Sequence, residues 1–477
     1  MQIPKLLQNS SLYTIVMVLQ KGIGFFLLPL YTTYLTPTDY GIQAVVTSVA
    51  SFLSVFITLG LDAAAQRFYY KFKSGDEYVK KLYGTVSLAI LLNSIIVGVV
   101  FIFGHKWLIE PFIGEISFYP FVLLGILYVI VNPIYLLYQN YLNTKQDGLA
   151  YGLNSIVNTF LYIGLVVLFL VKFNMGVLGV LLAHLIVAVV FFIYVAVCFL
   201  RKLYLKWNPH TMKEAFKYSL PLLPHTLANW SNGTIDKLLV NDIRSTADTG
   251  IYGLGQQYSS VMSITANAIN QAYVPWFFQR ADAGDIHSVR KVSNVIVAAI
   301  CLIAVLLSIF SKEVLDFMIS NPQYDEVYTI VPYIVFAFVF QSIYFFFVNV
   351  LFLKDTGVIF IITVTTVAFN VGLNLLLIPL IGIKGAAIAC IVSYFLKSVF
   401  ALIVSKRKNN EINFAWPKMY LLSFISFFVT MFTINVSDIL SIGYSLIVKL
   451  SIMSILAAVL FYIFRADVKL AIKQLKK

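Results

Sequence analysis

A chain of 477 residues that is 60% hydrophobic and only 12% charged cannot clothe itself in a normal aqueous surface; soluble domains carry about 25% charged residues. Its mean hydropathy of +0.88 marks an integral membrane protein. The net charge of +13 sits in short loops between apolar runs, which argues against nucleic-acid binding, and three scattered cysteines, Cys198, Cys301 and Cys390, argue against a disulfide framework or a zinc site.

A spanning helix needs about 20 mainly apolar residues. That ruler predicts an all-α membrane protein of about fourteen transmembrane helices. They fall near 10–33, 40–61, 83–104, 118–141, 150–172, 176–200, 214–241, 250–273, 289–311, 326–350, 357–379, 383–405, 417–436 and 440–464. The first run exceeds the about 7–15 residues of a signal-peptide core, and no small-residue cleavage site follows it, so a retained helix is expected. Within it, LYTIVMVLQKGIGFFLLPLY carries Lys21 at its centre. Lys21 lies about eleven residues, or about 16 Å, from the cytosolic end of its helix. A charge at that depth usually faces a bundle interior or a water path.

Lys and Arg crowd alternate loops: Arg67 to Lys81, Arg201 to Lys213, Arg280 to Lys291, Lys406 to Lys408, and the tail from Arg465. The intervening loops hold single cations such as Lys106, Lys172, Arg244, Lys312 and Lys384. The positive-inside rule then places both termini in the cytoplasm, with the cations facing anionic lipid.

The second span opens TPTDYGIQAVVTSVASFLSVFIT and the eighth STADTGIYGLGQQYSSVMSITAN. Asp39 and Gly41 recur as Asp248 and Gly250, an offset of 209 (248 − 39). Thr47, Ser51, Ser54 and Thr58 recur under the same offset as Gln256, Ser260, Ser263 and Asn267. MGVLGVLLA and IGIKGAAIA pair Gly176 and Gly179 with Gly382 and Gly385, 206 apart (382 − 176). Six spans therefore duplicate into six of the same orientation, a parallel repeat. The expected organisation is an N-lobe at 1–205, a C-lobe at 206–408, and two added helices with a basic tail at 409–477.

On the seventh span His225, Asn229, Asn232 and Asp236 fall on one helix face. Asn270 extends the stripe of the eighth. Ser and Thr stripes read first as interhelical hydrogen bonding, worth about 0.6 kcal/mol each. The His–Asn–Asp stripe reads as the lining of a water-filled cavity. Pro221 and Pro224 are expected to kink or loosen this helix. Lys237 is open to three readings: ion pairing with Asp236, an interfacial cap, or ligand contact. Lys397, deep in the twelfth span, is a further cavity candidate, and Lys449 has no functional account. No phosphate-cradling loop, paired catalytic carboxylates or metal spacing occurs, so no enzyme and no cofactor are expected.

The segment FFLLPLYTTYLTPTDYGIQAVVTSVASFLSVFITLGLDAAAQRFYYKF resembles the N-terminal region of Wzx-type polysaccharide flippases, in the multidrug/oligosaccharidyl-lipid/polysaccharide exporter superfamily. SLPLLPHTLANWSNGTIDKLLVNDIRSTADTGIYGLGQQYSSVMS resembles the matching start of their second lobe. The resemblance implies a bacterial or archaeal plasma-membrane protein. It would move a polyprenyl-pyrophosphate-linked oligosaccharide from the cytosolic to the outer leaflet, for O-antigen, capsule or exopolysaccharide assembly. It implies alternating access coupled to H+ or Na+, and polysaccharide polymerase machinery as a partner. Lys21 is then the candidate for the pyrophosphate or an anionic sugar, through charge-assisted hydrogen bonds. His225, Asn229, Asn232, Asp236, Lys237, Gln256, Asn267, Asn270 and Lys397 complete the expected substrate cavity, with Asp236 or His225 as the candidate for a coupling proton. The rival readings are a lipid II or teichoic-acid precursor flippase, a drug/cation antiporter, and a non-transporting scaffold. No deep Arg supports the first, no deep acid on the first span supports the second, and the polar interior argues against the third.

Overall fold

A computed structural model describes Val16, Gln20, and residues 22–71, 76–354, 357–408, 412–437 and 439–475. Lys21 lies outside these described residues, among which there are helices and no strands. The principal helices are α1 (Leu28–Tyr34), α2 (Pro37–Thr58), α3 (Leu61–Lys71), α4 (Asp76–Phe103), α5 (Leu123–Thr144), α6 (Gly148–Val167), α7 (Gly176–Cys198), α8 (Pro209–Ser219), α9 (Leu223–Ile243) and α10 (Thr246–Asp282). They continue as α11 (Ile286–Ile309), α12 (Ser311–Met318), α13 (Val327–Lys354), α14 (Gly357–Ile381), α15 (Ile383–Lys408), α16 (Trp416–Ser437) and α17 (Ile442–Leu475). Eleven helices among the described residues are long and apolar enough to cross a membrane. The seventh and eighth predicted segments are helical as α9 and α10, but their polar residues keep them outside that apolar set.

The repeated residues turn out to be helix-start chemistry. At α2, Thr36 Oγ1 accepts from the Asp39 amide at 3.2 Å, while the Asp39 carboxylate accepts from the Thr36 amide at 3.1 Å, with Pro37 in the first turn. This reciprocal capping satisfies amides that the helix itself cannot. At α10, Ser245 Oγ accepts from the Asp248 amide at 3.0 Å, and Arg244 Nε donates to Asp248 at 3.2 Å. The second repeated motif works through its glycines. Gly176 and Gly382 sit at φ +55° and +64°, where a side chain is disfavoured. Three residues on, a Cβ on Gly179 would meet Phe169 Cβ at 2.8 Å, and one on Gly385 would overlap the Leu377 carbonyl. Each pair lets the chain reverse and start α7 or α15 tight against the helix before it.

Packing divides the chain into two compact units, Met1–Gly253 and Leu254–Lys477. In the first, α2 is the central element, packed by α4, α5, α7 and α9. Its buried residues, among them Val45, Leu53 and Ile57, join Leu82, Ile126 and Leu181 in one apolar core. Pro221 and Pro224 break the seventh segment, as their missing amide hydrogens require: α8 ends at Ser219, a 3-10 turn spans Leu220–Leu222, and α9 begins. At the start of α2, Gly41 lies so close to Thr246, and Gly250 to Pro37, that a Cβ on either glycine would overlap the facing carbonyl oxygen.

In the second unit, α13 is the most enclosed span, 83% buried over its apolar window. It packs on α15 and α11, and α14 packs on α15. The two added helices attach through α11: α16 and α17 both lie along it. Lys449 of α17 has a structural partner here. Its ammonium, 2% exposed, donates to Glu313 of α12 at 2.5 Å.

Two outcomes follow from this packing. Gly41→Ala forces the α2 and α10 starts apart and should cost about 1–3 kcal/mol. Gly164→Ala, at a site with nothing within 4 Å of a new Cβ, serves as the control; melting temperatures in detergent decide between them. Glu313→Gln takes the contacting carboxylate from the buried Lys449 ammonium, leaving Asp316 as its nearby charge, and should cost about 1–3 kcal/mol, most of it restored by adding Lys449→Met. A single-mutant melting temperature equal to wild type would remove the ion pair from the account.

Candidate functional site

The polar stripe of α2 lines a cavity of about 300 Å³ inside the first unit. Thr47, Ser51 and Ser54 step by four and three residues, so one helix face carries all three. Opposite stand Tyr128 and Asn132 of α5 and His184 of α7. Pro133 follows Asn132 in the wall; having no N–H, it leaves the carbonyl of Val129, also in the wall, without its helical donor. Thr47 donates its hydroxyl to the Gln43 carbonyl at 2.8 Å, and Ser51 to that of Ser48 at 2.8 Å. With their hydrogens turned onto their own helix, these side chains offer the cavity oxygen lone pairs. His184 lies against the Tyr162 ring at 4.3 Å between centroids and the Tyr128 ring at 5.6 Å. The Tyr162 hydroxyl shares a 2.8 Å hydrogen bond with that of Tyr31.

The opposite face of α2 borders a second cavity of about 430 Å³. Phe52, Phe101, Phe112, Trp230 and Leu238 make it chiefly apolar, and Asp242 is its charged member among the described residues. Trp230 of α9 connects the two chambers. Its ring packs on Phe52 at 4.9 Å, and its indole N–H donates through the helix surface to Ser51 Oγ at 3.0 Å.

The α9 stripe divides along its length. Asn229 Nδ2 and His225 Nε2 lie 3.0 Å apart and hydrogen-bond across one turn. Asp236, 1% exposed, accepts from the Tyr252 hydroxyl at 3.0 Å. Lys237 is half-buried beside it, and the side chain of Asn232 is outside the described set. In the second unit, Gln256 and Asn267 are half-buried, and Asn267 donates to its own helix at the Ser263 carbonyl, 2.8 Å away. Asn270 accepts from Asn349 of α13 at 3.1 Å, which is interhelical bonding. Lys397 of α15 is 6% exposed, its Nζ 4.6 Å from the Tyr344 ring centre. Among the described residues no three His, Cys, Asp or Glu side chains converge to hold a metal ion.

Asn132, His184, Tyr128 and Trp230 are the residues that sequence reasoning passed over. His184 is a single polar group on an otherwise apolar helix, and its isolation was its signal, since an unexplained polar residue inside a span needs a partner or a cavity. Asn132 falls with Tyr128, Tyr135 and Gln139 at helical spacing on α5, a stripe that the reading did not use.

Comparison with known proteins agrees with this architecture. A family model described as polysaccharide biosynthesis protein matches residues 6–281. Lsg locus putative protein 1 of Haemophilus influenzae is 22% identical over 293 residues, which span 58% of this chain and 66% of that protein, just under two thirds of its length. An uncharacterized membrane protein of the same organism is 25% identical over 293 residues, 59% of this chain and 67% of the relative. Among solved structures, lipid II flippase MurJ in an inward closed conformation superposes with a TM-score of 0.74 at 13% identity, over 94% of this chain and 99% of that one. An inward-facing multidrug resistance MATE family transporter gives 0.62 at 13% identity, covering 84% and 97%. A mutant of the Vibrio cholerae MATE transporter VcmN gives 0.59 at 16% identity, covering 86% and 98%. At these identities the likeness to solved structures is one of fold. A membrane protein whose helices take the fold of flippases and exporters, and whose sequence fits the family model across more than half its length, belongs to the polysaccharide biosynthesis protein family.

Proposed function

We propose that the protein is a flippase that carries a polyprenyl-diphosphate-linked oligosaccharide from the cytosolic to the outer leaflet of a prokaryotic plasma membrane. The observation that carries this reading is the pair of chambers on the two faces of α2, both chiefly apolar, the first adding a stripe of hydroxyl, amide and imidazole groups to its wall. A glycan attached to a lipid needs both chemistries within reach of each other, and membership of a polysaccharide biosynthesis family supplies the context. In this reading the repeat works as two lobes, 1–205 and 206–408, by alternating access, with 409–477 appended and both termini cytosolic. Lys21 receives the diphosphate, His225, Asn229, Asn232, Asp236 and Lys237 meet the sugar, and Gln256, Asn267 and Asn270 do so from the eighth span. An H+ or Na+ gradient drives the return, and a polymerase takes up the product. The high likeness of fold to a lipid II flippase favours a second reading, with a lipid II-type precursor as cargo.

The test is a lipid extract from cells lacking the protein. Mass spectrometry should find an accumulated polyprenyl-diphosphate oligosaccharide, cleared by the wild type and at least tenfold more slowly by Lys21→Ala or Asn132→Leu. The glycan mass separates an oligosaccharide repeat unit from a lipid II-type precursor. No accumulation, with new sensitivity to cationic drugs, would replace the proposal with drug export.

A further inference from the structure

Lys397 stands fourteen residues into α15 (397 − 383), about 21 Å from its start and about 16 Å from its end. In an apolar layer about 30 Å thick that is close to the middle. Its side chain is 6% exposed. Nζ rests 4.6 Å from the centre of the Tyr344 ring and 5.8 Å from that of Tyr394. Among the described residues it meets no carboxylate.

The neighbouring helices explain that absence. Those with the largest contact with α15 are α13 and α14. Neither contains an Asp or Glu. The titratable groups of α13 are Tyr328, Tyr333, Tyr344 and, at its end, Lys354; α14 has none. On α15 itself Lys384, Lys406, Arg407 and Lys408 sit at the ends, leaving Tyr394 and, two turns before Lys397, Cys390; from α16 the Tyr420 hydroxyl donates to Ser398 at 2.9 Å. What α14 does bury is neutral and polar: Thr363, Thr366, Asn370 and Asn374. On α13, the Gln341 Oε1 is buried without a hydrogen-bond partner. Ring faces and amides can orient around an ammonium, but they do not neutralise it. A buried ammonium with no counter-charge is costly, and an anion beside it removes that cost.

We propose that Lys397 is an anion-linked proton site: its amine takes a proton from water when a phosphate-type anion enters the second unit, and returns it when the anion leaves. The anion brings the counter-charge that α13, α14 and α15 omit. Linkage makes the effect reciprocal, so the proton tightens the anion as much as the anion holds the proton. This rests on the reading that the cargo carries a diphosphate.

The probe is farnesyl diphosphate, titrated calorimetrically into the full-length protein in detergent at pH 8, in two buffers of different ionisation enthalpy; farnesol is the uncharged comparison. Wild type should take up about one proton more per bound diphosphate than Lys397→Arg, whose guanidinium stays charged throughout. Lys397→Met should bind the diphosphate at least tenfold more weakly, with farnesol binding unchanged in all three. A variant that does not elute as wild type in size exclusion is replaced by Lys397→Gln. Equal proton uptake by wild type and Lys397→Arg overturns the proposal, as does undiminished binding by Lys397→Met or no binding of farnesyl diphosphate by wild type. Such a failure alongside glycolipid accumulation in the deletion strain removes Lys397 and leaves the flippase reading standing. Proton-linked binding without accumulation does the reverse.

Discussion

Inside a bilayer a polar group must find its partner in the protein, because there is no water to supply one. Most hydroxyls here meet that demand locally. Ser48, Ser94, Thr363, Thr366 and Thr430 each donate to the carbonyl four residues earlier, which removes the donor without involving another helix. This leaves the polar groups that are not settled on their own helix as the informative ones. In the first unit Asn132 and His184 are among them, facing the α2 stripe across one chamber. In the second Lys397 is among them, set against the Tyr344 and Tyr394 rings. A polar side chain inside a span is therefore closed onto its own backbone, bonded to a neighbouring helix as Asn270 is, or part of a site.

The duplicated sequence shows the same economy. What survives in both copies is what fixes the backbone: a cap, a left-handed glycine, a glycine at a close approach. Thr36 and Ser245 both hold the amide three residues on. The side chains between these anchors have diverged, as Thr47 and Gln256 have under the same offset. Divergence between shared backbone anchors lets each copy carry a different chemistry on one scaffold.

This explains how much was legible in the sequence. Hydropathy gave the helical membrane architecture and the placement of eleven spans among the described residues, because length and apolar content are direct demands of the bilayer. The helical spacing of Thr47, Ser51 and Ser54 picked out one face of α2, but that face read as interhelical bonding, whereas it lines a cavity. Hydropathy was weakest at α9 and α10, whose polar faces lower the signal that defines a span. Periodicity could not separate Asn270, bonded to Asn349, from a cavity residue, because both uses put a polar group on the same face. Nor could it find His184, which belongs to no stripe, or Trp230, whose role depends on reaching Ser51 from 179 residues away. Stripes reveal a face; only packing tells what the face meets.

Helix α2 shows why the two chambers belong together. A helix wall is about 10 Å thick, so a molecule with a polar head and an apolar tail can touch both faces only where something reaches around the wall. Trp230 is placed there, its ring among Phe52 and one chamber and its N–H on the Ser51 stripe that lines the other. Tryptophan suits such a boundary because one end is apolar and the other a donor. A phenylalanine would keep the packing and lose the donor; a serine would do the opposite. The membrane potential then acts on any anion so held. With the cytosol negative, each negative charge carried outward across the full field gains about 2.3 kcal/mol per 100 mV. For a diphosphate headgroup the energetic difficulty is therefore entry into the apolar layer rather than exit from it. Cations and oriented dipoles in the interior, rather than a strong pull on the outer side, are the features such a passage needs.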